Sequence, residues 1–167
     1  AGNPHIYRLE RELSRVELIA ELASMPERLR AVLAGTTPDA LTARESTDEW
    51  SAFQTLCHLR DATLVYAARF RWIVFDDRPV MPNFNEEQWV LQSRDTVDDV
   101  PTILGEIAAS RSDLVRVLSR MPPEAWQRSG IYSVAGIIVL EEYVRHAVVH
   151  EGMHLQQIAE ALRLAAR

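Results

Sequence analysis

Cysteine is almost missing from this chain of 167 residues: Cys57 stands alone, so no disulfide can form within it. Glycine is scarce, with six residues, and no stretch alternates apolar and polar residues for more than a few positions, which argues against a β-rich fold. Positive charge is the minority sign. Eighteen Lys and Arg face 24 Asp and Glu, a formal net charge of -6, and no basic cluster stands out. A partner bound through its phosphate backbone, such as a nucleic acid, is therefore not expected. Long apolar runs are lacking as well. The longest, Val134 to Leu140, falls far short of the roughly 20 residues that span a bilayer and runs into Glu141 and Glu142. One cysteine and no secretory apolar leader point to the cytoplasm.

What remains is helical patterning within a length that suits one domain, residues 1–167. The first helix is expected from about Ile6 to Ala34, because Leu18, Leu22, Met25, Leu29 and Val32 keep the helical period across Pro26. The second begins at a capping box formed by Ser51 and Gln54 and ends near Phe75. Residues 76–95 read as a long connection with one turn of helix at Glu86–Leu91. A loop of that length is usually functional or a crossover. The third helix is expected from about Thr96 to Arg120, stopped by Met121-Pro122-Pro123, and the fourth from about Ile138 to Ala165. Four amphipathic helices with short-to-medium links make an all-α four-helix bundle.

The segment richest in chemistry is His146-Ala-Val-Val-His150-Glu151-Gly-Met-His154. Residues four apart on a helix share a face, so His150 and His154 can aim imidazoles at one point. Two neutral imidazoles suit a divalent transition metal but do not hold it tightly, so a third ligand must come from another helix. Glu151 falls near the middle of the apolar stripe at about 100° per residue. A carboxylate aimed at the core needs a charged or hydrogen-bonding partner. A metal ion, its water, or an arginine such as Arg69 or Arg145 would serve. His146 reads as a polar-face residue and Cys57 as a small buried apolar side chain. The string also satisfies His-Glu-x-x-His, the zincin signature. No metzincin extension follows it, Glu160 is too close on the same helix to be the third ligand, and no sheet is expected to form the substrate cleft.

Three passages together resemble the DinB-like superfamily and its YfiT-like branch. They are Trp50-Ser51-Ala-Phe-Gln54-Thr-Leu-Cys-His58-Leu-Arg-Asp61, Phe84-Asn85-Glu86-Glu87-Gln88-Trp89, and His150-Glu-Gly-Met-His154-Leu-Gln-Gln157-Ile158. The resemblance implies an up-down-down-up bundle with a metal near one end, held by His58, His150 and His154. His58 sits at the edge of the second helix's stripe, from which it can face the fourth. Three histidines would leave coordination positions open, as catalytic sites do. Asp61 and Gln157 are candidates to orient imidazoles. The resemblance further implies a metal-dependent enzyme; three nitrogens suit several ions, with zinc or nickel expected first. The foremost activity is transfer of a low-molecular-weight thiol to a small electrophile. The alternatives are a metal-dependent hydrolase with Glu151 as general base and a non-catalytic, stress-linked metal-binding protein. A homodimer is expected on the same ground.

Overall fold

In the computed structural model, which describes residues 12–166, helices dominate and a small sheet closes one side. Helix α1 spans Arg15–Leu33 and begins at a capping box in which Ser14 and Glu17 satisfy each other's backbone N–H groups. It continues across Pro26, as the apolar period requires. Of the residues expected to extend it toward Ile6, those before Glu12 lie outside the described part, and the cap places its start at Arg15. A short helix α2, Pro38–Thr42, follows, with Thr37 as cap and proline in the first turn. Helix α3, Ala52–Phe75, starts at the expected Ser51–Gln54 box.

The connection after α3 holds strand β1, Val80–Met81, and helix α4, Glu86–Gln92. A 3-10 turn, Val97–Asp99, leads into α5, Val100–Arg120, with Pro101 in its first turn. A second 3-10 turn, Pro123–Gln127, precedes strands β2, Ser129–Tyr132, and β3, Gly136–Val139. The last helix, α6, is Leu140–Ala165. Ile138, expected to open that helix, instead pairs with Gly130 across the β2–β3 hairpin. Strand β1 joins β2 in parallel, Val80 opposite Ile131, so the sheet order is β1-β2-β3. Gly130 permits this: a Cβ there would come within 3.0 Å of Met81 and 3.1 Å of Ile73.

Side-chain pairs give the helix directions. Arg15 bonds the Pro123 carbonyl just past the end of α5, so α1 and α5 run antiparallel. Arg111 reaches Thr63 and Arg71 reaches Asp113, so α3 and α5 run parallel. Arg69 meets Tyr143 while His58 meets His150, so α3 and α6 run antiparallel. Up-down-down-up follows. Helices α1 and α3 each pack on both α5 and α6 and face each other across the bundle. The apolar interior forms two layers, one around Leu22, Phe70, Leu114 and Val144, the other around Leu29, Leu56, Ile107 and Ile158. Between them lie Arg111, Thr63 and Glu151, all buried. No described helix is long and apolar enough to cross a membrane.

Candidate metal centre

Antiparallel packing of α3 on α6 brings the three predicted histidines together. Nε2 of His150 lies 3.2 Å from Nε2 of His58 and 3.2 Å from Nε2 of His154. One ligand atom from each residue falls within 4.8 Å of the other two. Nitrogens held at about 2.0–2.1 Å by one tetrahedral ion lie about 3.3–3.4 Å apart. Both separations from His150 therefore match a ligand set, and the third ligand pair lies within 4.8 Å.

The protonation states suit the same role. Burial, reinforced by the neighbouring His154, pulls the His58 pKa down to about 3. Burial and the surrounding imidazoles pull His150 down to about 2. Burial lowers His154 as well, against the opposing pull of Gln157. All three are neutral near pH 7 and carry ring lone pairs. The Gln157 Oε1 atom, 2.9 Å from His154 Nδ1, accepts that N–H and leaves the Nε2 lone pair of His154 for the centre. With Nε2 unprotonated on all three rings, the lone pairs would meet at one spot, and a cation placed there would convert their repulsion into bonds. The donor set thus fits a divalent ion of the imidazole-binding kind.

The site lies in a cavity of about 770 Å³. Its floor is two helical stripes running in opposite directions. His58, Ala62, Val65 and Arg69 come from α3, and Tyr143, His146, His150 and His154 from α6. The walls are residues 83–87, from the start of α4 and the segment before it, with Tyr132 and Val134 from the hairpin. Val134, in the hairpin turn, is therefore cavity wall, and the residues from Gly136 on form β3. His146, expected on a polar face, lines this cavity and stacks on Tyr143 with ring centres 5.8 Å apart.

The other candidates fall elsewhere. Glu151 is buried but turns to Arg111, whose guanidinium also donates to Thr63 at 3.2 Å, and it does not line the cavity. Burial pushes the Glu151 carboxyl up against the pull of that arginine. The two arginines considered for it from the sequence are engaged otherwise: Arg69 with Tyr143 and Pro82, Arg145 with Leu13 and Glu141. Asp61 accepts from Arg60 at 3.0 Å and not from an imidazole. Cys57 is buried, and its thiol is pushed up to about 12 by that burial.

One acidic residue beside the centre escapes a reading of the sequence. Glu86, at the start of α4, places Oε2 3.9 Å from His58 Nδ1 and lines the cavity, with 57% of its side chain exposed. Partial burial raises its pKa. The sequence carries a signal, the Asn85 cap with Glu86 and Glu87 in the first turn, but nothing in it locates that turn over α3.

The helix order and the open trough with its three-histidine cluster define a small all-α bundle whose one end could hold a metal ion. The family model of the DinB superfamily matches residues 21–158, and the chain belongs to that superfamily. The solved structure of YfiT from Bacillus subtilis is similar, with a TM-score of 0.86 at 20% identity, over 96% of this chain and 94% of that one. YfiT is described as "a probable metal-dependent hydrolase with an unusual four-helix bundle topology". A "putative metal-dependent hydrolase" of Oceanobacillus iheyensis is 24% identical over 146 residues, 87% of this chain and 84% of that protein. One of the same name from Halalkalibacterium halodurans is 23% identical over 144 residues, 86% of this chain and 84% of its own.

Proposed function

We propose that this protein is a metal-dependent hydrolase of small molecules, with a divalent ion held by His58, His150 and His154. The observation that carries the reading is the convergence of three neutral imidazole nitrogens, 3.2 Å from one to the next, on an open cavity. The hydrolase names of the relatives agree with it. An ion so held supplies Lewis acidity and lowers the pKa of a water or thiol that it coordinates.

The chain's own residues divide the remaining work. Gln157 fixes the tautomer of His154. Trp50, its ring centre 5.0 Å from that of His58, covers one side of that imidazole. Glu86 lines the cavity with Oε2 3.9 Å from Nδ1 of His58, the ring nitrogen turned away from the centre, and is assigned the proton of the attacking water. Its raised pKa suits proton transfer, and catalytic contacts commonly shorten once substrate is bound. Glu151 holds Arg111 inside the bundle instead of serving as base.

Transfer of a low-molecular-weight thiol is the second reading. The orientation of Glu151 favours it, because a thiol acidified by the ion reaches its nucleophilic form without a carboxylate base. One experiment separates the two. Metal-loaded protein is assayed on p-nitrophenyl esters with and without small thiols, beside His150→Ala and Glu86→Gln. Hydrolysis without thiol is expected, with metal lost from His150→Ala and turnover lost from Glu86→Gln while its metal stays. Turnover only when a thiol is present, unaffected by Glu86→Gln, would install the second reading.

A further inference from the structure

Two arginines are buried in the described structure, and only one has an acidic partner. Arg111 faces Glu151. Arg69 is 4% exposed, yet no carboxylate among the described residues lies within 4 Å of it. Its acceptors are neutral: Nη1 donates to the Tyr143 hydroxyl at 2.6 Å and Nη2 to the Pro82 carbonyl. These bonds use two of the five guanidinium N–H groups. The ring of Tyr132 lies under the cation at 4.3 Å and that of Phe84 at 5.9 Å. Aromatic faces hold and orient a guanidinium but do not neutralise it. Burying a charge without a counter-charge is costly, and a structural tie to a phenol and a carbonyl does not require one.

Arg69 also occupies a telling position. It shares the His58 stripe of α3, three turns further on, about 16 Å along the axis, and lines the same cavity. Two carboxylates line the trough, Glu86 and Glu87; Glu86 stands beside His58 at the other end, and neither lies within 4 Å of Arg69. The trough is therefore polarised, with imidazoles and carboxylate at one end and an uncompensated guanidinium at the other.

We propose that Arg69 and Tyr143 form an anion subsite that takes a carboxylate on the same molecule that reacts at the three histidines. The proposal rests on the metal-centre reading and adds a substrate class: small, elongated monocarboxylates whose reacting group and acid are several carbons apart. Planar N–H groups left on Arg69 match a carboxylate's two oxygens. Tyr143 accepts from Arg69, so its own O–H is available to donate. Burial raises that hydroxyl to about 12 and keeps it protonated. A carboxylate there supplies the missing counter-charge and sets how far the rest of the molecule reaches along the trough.

The test uses monohydroxamates of α,ω-diacids of about six to ten carbons. Each is compared with its methyl ester by calorimetry on zinc-loaded wild type, Arg69→Lys and Arg69→Met. In wild type at least one length should bind about tenfold or more tightly as the acid than as the ester. The acid preference should shrink in Arg69→Lys and vanish in Arg69→Met. Equal binding of acid and ester at every length in wild type overturns the proposal, whatever the variants' stability. So does a preference that persists undiminished in Arg69→Met. The metal reading fails separately, if the esters bind zinc-loaded and metal-free protein alike. In that case octanoate against methyl octanoate, on metal-free wild type and Arg69→Met, still decides for or against the anion subsite.

Discussion

Gln157 touches no solvent-free core and holds no charge, yet it decides which nitrogen of His154 faces the centre. Replacing it with Leu frees Nδ1 and lets the ring change tautomer or rotate. Metal affinity should fall by about 10- to 100-fold, while stability of the metal-free protein stays within about 0.5 kcal/mol. Competition against a chromophoric chelator and urea denaturation check the two halves. Cys57 should behave oppositely to a reactive thiol. With its pKa pushed up to about 12 by burial, iodoacetamide at pH 8 should label it far more slowly in the native protein than in urea. At this scale His150 and His154 were legible, because one helical turn places them side by side whatever the tertiary fold. His58 was legible only through its resemblance to a family motif. The Glu151–Arg111 pair had a readable half. Glu151 interrupts the apolar stripe of α6, and Arg111 interrupts that of α5 between Ile107 and Leu114. Two opposite charges set into two core stripes ask for each other, but only the first stands out without the fold.

Between elements, that pair links α5 to α6, with Thr63 adding α3, in the polar layer between the two apolar ones. Arg111→Met leaves the Glu151 carboxylate buried without a partner and should cost about 3–5 kcal/mol. Combining it with Glu151→Leu should restore stability to within about 1–2 kcal/mol of wild type, or above it. Urea denaturation measures both. The double variant should also keep its metal and its turnover. Turnover lost with metal retained would return Glu151 to the chemistry. The four long helices were readable from period, capping box and proline stops. The strands were not. They have two to four residues each, too few for alternation to register. Pairing Val80 with Ile131 joins segments that no local pattern connects. Ile137, Ile138 and Val139 carry the same apolar character in a strand as in a first helical turn.

For the molecule as a whole, the histidines make stability depend on pH in a definite direction. Their folded pKa values lie below the ordinary 6.5: His58 at about 3, His150 at about 2, His154 also lowered. Above pH 6.5 neither the folded nor the unfolded chain protonates them, and their contribution is intact. As pH falls below 6.5 the unfolded chain gains protons that the folded one refuses, so stability drops toward pH 3. Each fully depressed histidine contributes up to about 1.4 kcal/mol per pH unit. The urea midpoint of metal-free protein should fall from pH 7 to pH 5, with a shallower slope in His150→Asn. An unchanged midpoint in wild type would contradict the burial of these rings.

Two of the imidazoles belong to one helix and the third to its antiparallel neighbour, so their convergence measures how α3 and α6 are aligned. Sliding one helix past the other by a single turn would put Ala62 where His58 stands and dissolve the cluster without unwinding either helix. A bound ion would act as a rivet, locking the two rods at this setting. Overpacked substitutions far from the cavity that nudge this alignment should therefore reveal themselves first as weakened ion retention, while circular dichroism still reports an intact bundle.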